Sequence, residues 1–280
     1  MSRWHDLRLT PKLMIAFLVL GLAPLAVVGG FADHAAATAL HKDATGSLEE
    51  TAFNASDKLD RNLFERYGDV QAFALSRPAR SMQPDQIITW MNTMMGAYAP
   101  VYTLMVVADT QGRIIATNEV DQEGKPLPAA RRLHGRDVSG ERWFRDGMSG
   151  AIKDGASLVE DLRHDTLVAE VYGTAGGADL AMSFTAPIKD SDGRIVGVWS
   201  NRFNWQVATT IVRDVEQRAW RSGARSLRVG LVNASGISMI DPHADDILTE
   251  SVQGAVGLAQ LPVQGAAVTG HGDGIGLESK

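Results

Sequence analysis

The chain is uncharged and apolar from Leu13 to Ala32, and no later stretch matches that run. About twenty such residues are what an α-helix needs to cross a hydrocarbon core about 30 Å thick. Arg3, Arg8 and Lys12 precede the run, and Asp33 and His34 follow it. That bias keeps the N-terminus cytoplasmic and sends the remaining chain outward. Gly21 and Pro24 lie inside the run, where membrane helices tolerate them better than soluble helices do. The alternative is a signal peptide cut near Ala35-Ala36-Ala37. The run is longer than the roughly 7–15 residues of a signal core, so it reads as a retained anchor. Both readings export the chain.

Helical spacing continues beyond the run. Leu48, Ala52, Ala55, Leu59, Leu63, Tyr67 and Val70 recur every three or four residues, with charged positions largely off that stripe. This predicts one long helix over about 34–76, ending at Ser76-Arg77-Pro78, because a residue before proline avoids helical dihedrals. The stripe fits a dimer seam or a face packed on a sheet. A second helix is predicted from Pro84 to Tyr98, with Ile87, Met91, Met94 and Tyr98 on one face.

Strand patterns follow. Tyr102–Ala108 and Arg113–Thr117 flank the turn signal Asp109-Thr110-Gln111-Gly112. Residues 118–136 read as a loop, and 140–149 as a short helix capped by Ser139. Ser157–Glu160 and Leu167–Tyr172 read as short strands, with Asp161, His164 and Asp165 in the turn between them. Gly173–Asp179 reads as a hairpin loop. Leu180–Lys189 and Arg194–Phe203 form the strongest hairpin, joined by Asp190-Ser191-Asp192-Gly193. A helix over 206–221 leads to Leu227–Val232 and Ile237–Ile240, which repeat the first hairpin at a spacing of about 125 residues. The second module lacks the remaining strands, so a truncated module or a fragment is expected, with a poorly ordered end.

Composition narrows the partners. The chain is 45% apolar and 21% charged, enough for a packed core, with a net charge of −6 and no basic stretch to bind nucleic acid. It contains no cysteine, which excludes disulfides, thiolate metal sites and cysteine nucleophiles. G-x-S-x-G, H-E-x-x-H and phosphate-loop patterns are missing, so no enzyme is expected.

The order of these pieces resembles the double Cache sensor domain of bacterial methyl-accepting chemotaxis proteins and of some sensor kinases and cyclases. The resemblance rests on Val106–Asn118, Asp137-Val138-Ser139 leading to Trp143-Phe144, and Ala186–Asp190 with Asp192–Val198, and covers about residues 13–245. It implies a membrane-distal module that holds the ligand and a long helix that carries the signal. Amino-acid-binding members place an arginine shortly before the Trp–aromatic pair and an aspartate a few residues after the Gly-Val of the last strand. Here Glu141 stands in the first place, with Arg142 one residue away, and Arg202 in the second. That departure weighs against an amino-acid ligand.

The expected architecture is therefore α+β. It comprises a cytoplasmic N-terminus (1–12), a single transmembrane helix (13–32) and a long signalling and dimerisation helix (33–76). A distal PAS-like module with an antiparallel sheet (77–205) follows, then a connecting helix and a truncated second PAS-like module (206–280). Candidate ligand-binding residues are Glu141, Arg142, Trp143, Phe144, Asp161, His164, Asp165, Tyr172, Asn201 and Arg202. Alternation puts Trp199, Asn201 and Phe203 on one strand face and Ser200 and Arg202 on the other. Trp143 and Phe144 equally suit plain core packing, and the charged candidates equally suit a solvated surface. Asp241, His243, Asp245 and Asp246 include metal-ligating types but sit in a loop, and no metal or cofactor is expected. The resemblance implies chemotactic sensing of a small polar metabolite in the periplasm by a homodimer in the inner membrane. A kinase or cyclase sensor and a membrane-anchored binding protein are the rival readings.

Overall fold

The computed structural model describes residues 9–225, 227–233, 235–240 and 247–248. The chain divides into two units, one up to Glu50 and one from Thr51.

The first unit is the N-terminal part of helix α1 (Leu9–Leu75). Within it, Lys12–Leu40 is long and apolar enough to cross a membrane. Phe17, Leu18, Val19 and Leu20 are consecutive and all exposed, so the helix is apolar on every side. A helix of that kind belongs in lipid or in a large core.

In the second unit, α1 is amphipathic. Ala55, Leu59, Val70, Phe73 and Ala74 are buried, with Leu63 and Tyr67 packed beside them. From Ala55 on, the stripe noted in the sequence thus packs against the core. The helix stops at Leu75, where the Ser76 hydroxyl accepts the Ala79 amide at 3.3 Å and starts helix α2 (Arg77–Ser81). Proline ends one helix here by starting another. Helix α3 (Pro84–Ala97) follows.

The centre is a five-stranded antiparallel sheet of order β2-β1-β5-β4-β3. Its strands are β1 (Tyr102–Asp109), β2 (Ile114–Thr117), β3 (Leu158–His164), β4 (Leu180–Lys189) and β5 (Ile195–Asn204). Between them lie helices α4 (Pro128–Arg131), α5 (Arg142–Met148) and α6 (Thr166–Tyr172). Helix α7 (Trp205–Arg221) leads to a two-stranded sheet of β6 (Leu231–Val232) and β7 (Ser238–Ile240). Asp190 closes the β4–β5 turn by accepting the Asp192 and Arg194 amides at 2.9 Å each.

The two sheet faces carry different cores. One holds Met105, Val107, Phe184, Trp199 and Phe203 against α1 and α3. Phe73 of α1 is its hub, with ring centroids 5.1 Å from Trp90, 5.2 Å from Tyr98 and 6.0 Å from Trp199. The other face holds Leu104, Val106, Ala181 and Val198 with Trp143, Phe144, Leu167 and Val168 from α5 and α6. A methyl on Gly147 would sit 2.7 Å from Val198 Cγ1. Glycine there lets α5 lie close on β5.

Several expectations are corrected. Leu167–Tyr172 is helix α6 and not a strand, because Asp165 Oδ1 accepts the Leu167 and Val168 amides at 3.0 and 3.1 Å and nucleates a turn. Asp161 and His164 therefore lie on β3, and Asp165 caps a helix; they do not form a turn between two strands. Gly173–Asp179 joins α6 to β4 through a short 3-10 turn at Ala175–Gly177, not two strands. The loop expected over 118–136 contains α4. Helix α5 begins at Arg142 with Glu141, not Ser139, at its cap. Trp205 Nε1 donates to Met239 O at 2.9 Å and Ile240 is buried, so the β6–β7 hairpin packs on the first module's core. Asp241, His243, Asp245, Asp246 and the expected poorly ordered end lie outside the described residues.

Candidate functional site

A polar cluster is built into the α5–α6 face of the sheet. Arg202 and Ser200 on β5 pair in register with Ser183 and Thr185 on β4, so all four side chains share this face. All four are buried. Thr185 Oγ1 and Ser200 Oγ lie 2.6 Å apart.

Arg202 is the centre of the cluster. Its Nε donates to Asp165 Oδ2 at 2.7 Å and its Nη1 donates to Ser200 Oγ. Its Cζ lies 5.2 Å from the Trp143 ring centroid, a cation–π distance. Its Nη2 is buried without a hydrogen-bond partner. Asp165 Oδ2 also accepts from Arg163 Nη2 at 3.2 Å, and Arg163 Nη1 donates to Glu160 Oε2 at 2.9 Å. Ser183 Oγ donates to the same Glu160 oxygen at 2.7 Å. The result is a continuous chain from Ser200 through Arg202, Asp165, Arg163 and Glu160 to Ser183.

Burial pushes the Asp165 carboxyl up, but the Arg202 guanidinium, the Val168 amide and Arg163 outweigh it and hold it below the usual aspartate range. Tyr172 donates its hydroxyl to Thr103 O at 3.1 Å, and Thr103 Oγ1 donates to Arg202 O at 3.2 Å. Burial, then the charges of Asp121 and Glu123, push the Tyr172 hydroxyl up to about 12, so it stays a donor.

Of the residues singled out from the sequence, Arg202 touches both Asp165 and Trp143. Phe144 packs edge-on to Trp143 with centroids 6.1 Å apart, and Tyr172 reaches the strand beside Arg202. Others stand apart. Glu141 and Arg142 are exposed at the start of α5, and Arg142 pairs with Asp146 at 3.3 Å. Asp161 is exposed. His164 is exposed and places Nδ1 2.8 Å from Asp179 Oδ2 at the cluster's edge. Asn201 faces the opposite core, where its Oδ1 accepts from Trp199 Nε1 at 2.7 Å. Arg163, Glu160, Ser183, Ser200 and Thr185 were not singled out. The signal for Ser183 and Thr185 was in β4, where two polar residues alternate inside an otherwise apolar strand.

A separate cavity of about 690 Å³ lies on α7 and the chain after it, lined by Gln217, Trp220, Arg221 and Arg225. Among the described residues, no group of acidic or histidine side chains is placed to hold a metal ion.

Solved structures share this fold. The ligand-binding domain of the Pseudomonas aeruginosa PAO1 amino acid chemoreceptor PctC, in complex with GABA, is 14% identical with a TM-score of 0.52. The match covers 76% of this chain and 83% of that one. The ligand-binding domain of the Pseudomonas fluorescens chemoreceptor CtaA, with L-valine, is 14% identical with a TM-score of 0.51, covering 76% and 80%. The same domain with L-serine is 16% identical with a TM-score of 0.51, covering 77% and 79%. No family model and no curated protein matches the chain. The fold is that of chemoreceptor ligand-binding domains.

Proposed function

We propose that this chain is the sensing part of a transmembrane chemoreceptor that binds a small polar molecule at the Arg202 face. The observation that carries the proposal is the buried polar cluster of Arg202, Asp165, Ser200 and Trp143 on the sheet face under α5 and α6. Folding rarely leaves a guanidinium nitrogen buried without a partner, and binding sites are where such groups gather. The apolar segment Lys12–Leu40 supports an inner-membrane anchor, with the sheet domain in the periplasm. Phe53, Phe64 and Leu75 are exposed on α1 at intervals of eleven residues, about three helical turns, which supports a homodimer seam along that face.

Signal transfer has a short physical route. Residues 199 to 202 of β5 face the cluster and the α1 core alternately, and Trp199 touches Phe73 of α1. A ligand biases this helix only by its difference in affinity between two arrangements. The chemotactic output is supported by the receptors that share the fold.

The test is a binding screen on the full chain in lipid nanodiscs with amino acids, organic acids, amines and purines. A ligand at 100 times its Kd stabilises by about 2.7 kcal/mol, a clear shift in melting temperature. Saturable binding that Trp143→Ala weakens is expected. Absence of any binding across the four classes contradicts the sensing role.

A further inference from the structure

Arg202 gives the site a chemical preference. We infer that the ligand is a small carboxylate without an amine, docked through an oxygen on Arg202 Nη2. This rests on the reading that the α5–α6 face binds a small molecule.

The cluster's donors and acceptors carry the inference. Asp165 has no oxygen to spare: Oδ1 takes the Leu167 and Val168 amides, and Oδ2 takes Arg202 and Arg163. Glu160 Oε2 takes Arg163 and Ser183. Asp165 and Glu160 are thus matched to guanidinium groups already present. Arg202 spends Nε on Asp165 and Nη1 on Ser200, and its Nη2 meets no hydrogen-bonding atom although the side chain is only 1% exposed. The open valence of the cluster is therefore a cationic donor. It calls for an acceptor, and an anionic oxygen makes the stronger bond. A ligand ammonium at the same place meets like charge. Trp143 lies over the same guanidinium, and Leu104, Val106 and Val198 share the face. Those groups suit a short carbon chain behind the carboxylate.

Asp179, whose backbone oxygen accepts the Asp165 amide at 2.9 Å, also has a buried oxygen without a partner, Oδ1, and its Oδ2 faces His164. It is an acceptor, and it offers the competing assignment in which a ligand amine sits beside β3.

The experiment is calorimetry on the full chain in nanodiscs with matched pairs: butyrate and GABA, isovalerate and L-valine, 3-hydroxypropionate and L-serine, succinate and L-aspartate. The acid of at least one pair is expected to bind about tenfold or more tightly than its amine-bearing partner. Arg202→Lys keeps the charge but loses the fork, and is expected to weaken that acid about tenfold. Ser200→Ala leaves the guanidinium in place and keeps the test open if the lysine variant does not fold; it too is expected to weaken the acid. Equal or tighter binding of the amine-bearing partners overturns the ligand class and points to Asp179, while leaving the sensing role intact. Unchanged acid affinity in a folded Arg202→Lys variant overturns the docking atom. Binding of a different class alone, such as a purine, overturns the carboxylate assignment. Absence of binding by any class removes the sensing role as well.

Discussion

Arg202 and Asp165 lie 37 positions apart in the chain, yet Nε of one donates to Oδ2 of the other at 2.7 Å, with both side chains buried. The contact ties the last strand of the sheet to the cap of α6. Removing one partner of a buried ion pair strands the other charge, at a cost of about 3–5 kcal/mol. Asp165→Asn is therefore expected to lower unfolding free energy in urea by that order, while its remaining side-chain oxygen can still cap α6. Arg163→Gln, at a partly exposed link of the same chain, leaves Asp165 paired with Arg202 and is expected to cost less.

The same carboxylate sets an acid limit. Its folded pKa lies below the ordinary aspartate value of about 3.9, so it contributes stability fully above that pH. The contribution falls as pH drops through the lowered folded pKa, where protonation breaks the pair. Melting temperature measured from pH 6 to pH 2.5 is expected to decline more steeply in the parent chain than in Asp165→Asn. Parallel curves count against the pair as a source of stability.

Gly147 sets the height of α5 over the sheet. Adding a methyl 2.7 Å from Val198 forces the helix to lift or the valine to shift, and overpacking of this kind costs about 1–3 kcal/mol. Gly147→Ala is expected to lose that stability and to weaken ligand binding, because Trp143 rides on the same helix. Gly140→Ala, where nothing lies within 4 Å of the added carbon, is the neutral control. Denaturation and calorimetry on both variants check this.

On the opposite face, the Tyr102 hydroxyl donates to Asp69 Oδ2 of α1 at 2.7 Å, and Arg66 lies 2.9 Å from the same oxygen. Burial, with Asp69 next, pushes the Tyr102 hydroxyl pKa upward, so it remains a donor. Tyr102→Phe removes a hydrogen bond to a charged group, worth about 1.5–3 kcal/mol. Urea denaturation is expected to show that loss while affinity at the Arg202 face stays near the parent value.

The sheet's strongest hairpin and the split of β5 into two faces were legible, because a ten-residue strand with an Asp–Gly turn leaves little ambiguity. Alternation alone put Arg202 opposite Trp199. The cluster around Arg202 was harder to read. Thr166–Tyr172 is seven residues, β-branched or apolar except for Glu170, and a segment that short fits strand or helix equally. Only the contacts of Asp165 with the amides ahead of it decide for helix. Glu160 and Arg163 are three apart and by strict alternation point to opposite faces. A register shift between them on β3 lets both join the cluster, and a bulge leaves no mark in composition.

A crystal structure of the chain with the tightest-binding compound from the screen tests the central claim most directly. The compound is expected beneath α5, beside Trp143 and Arg202, with an oxygen on Arg202 Nη2. A compound seated elsewhere, such as the α7 cavity lined by Trp220 and Arg225, with the Arg202 face unchanged, contradicts the account.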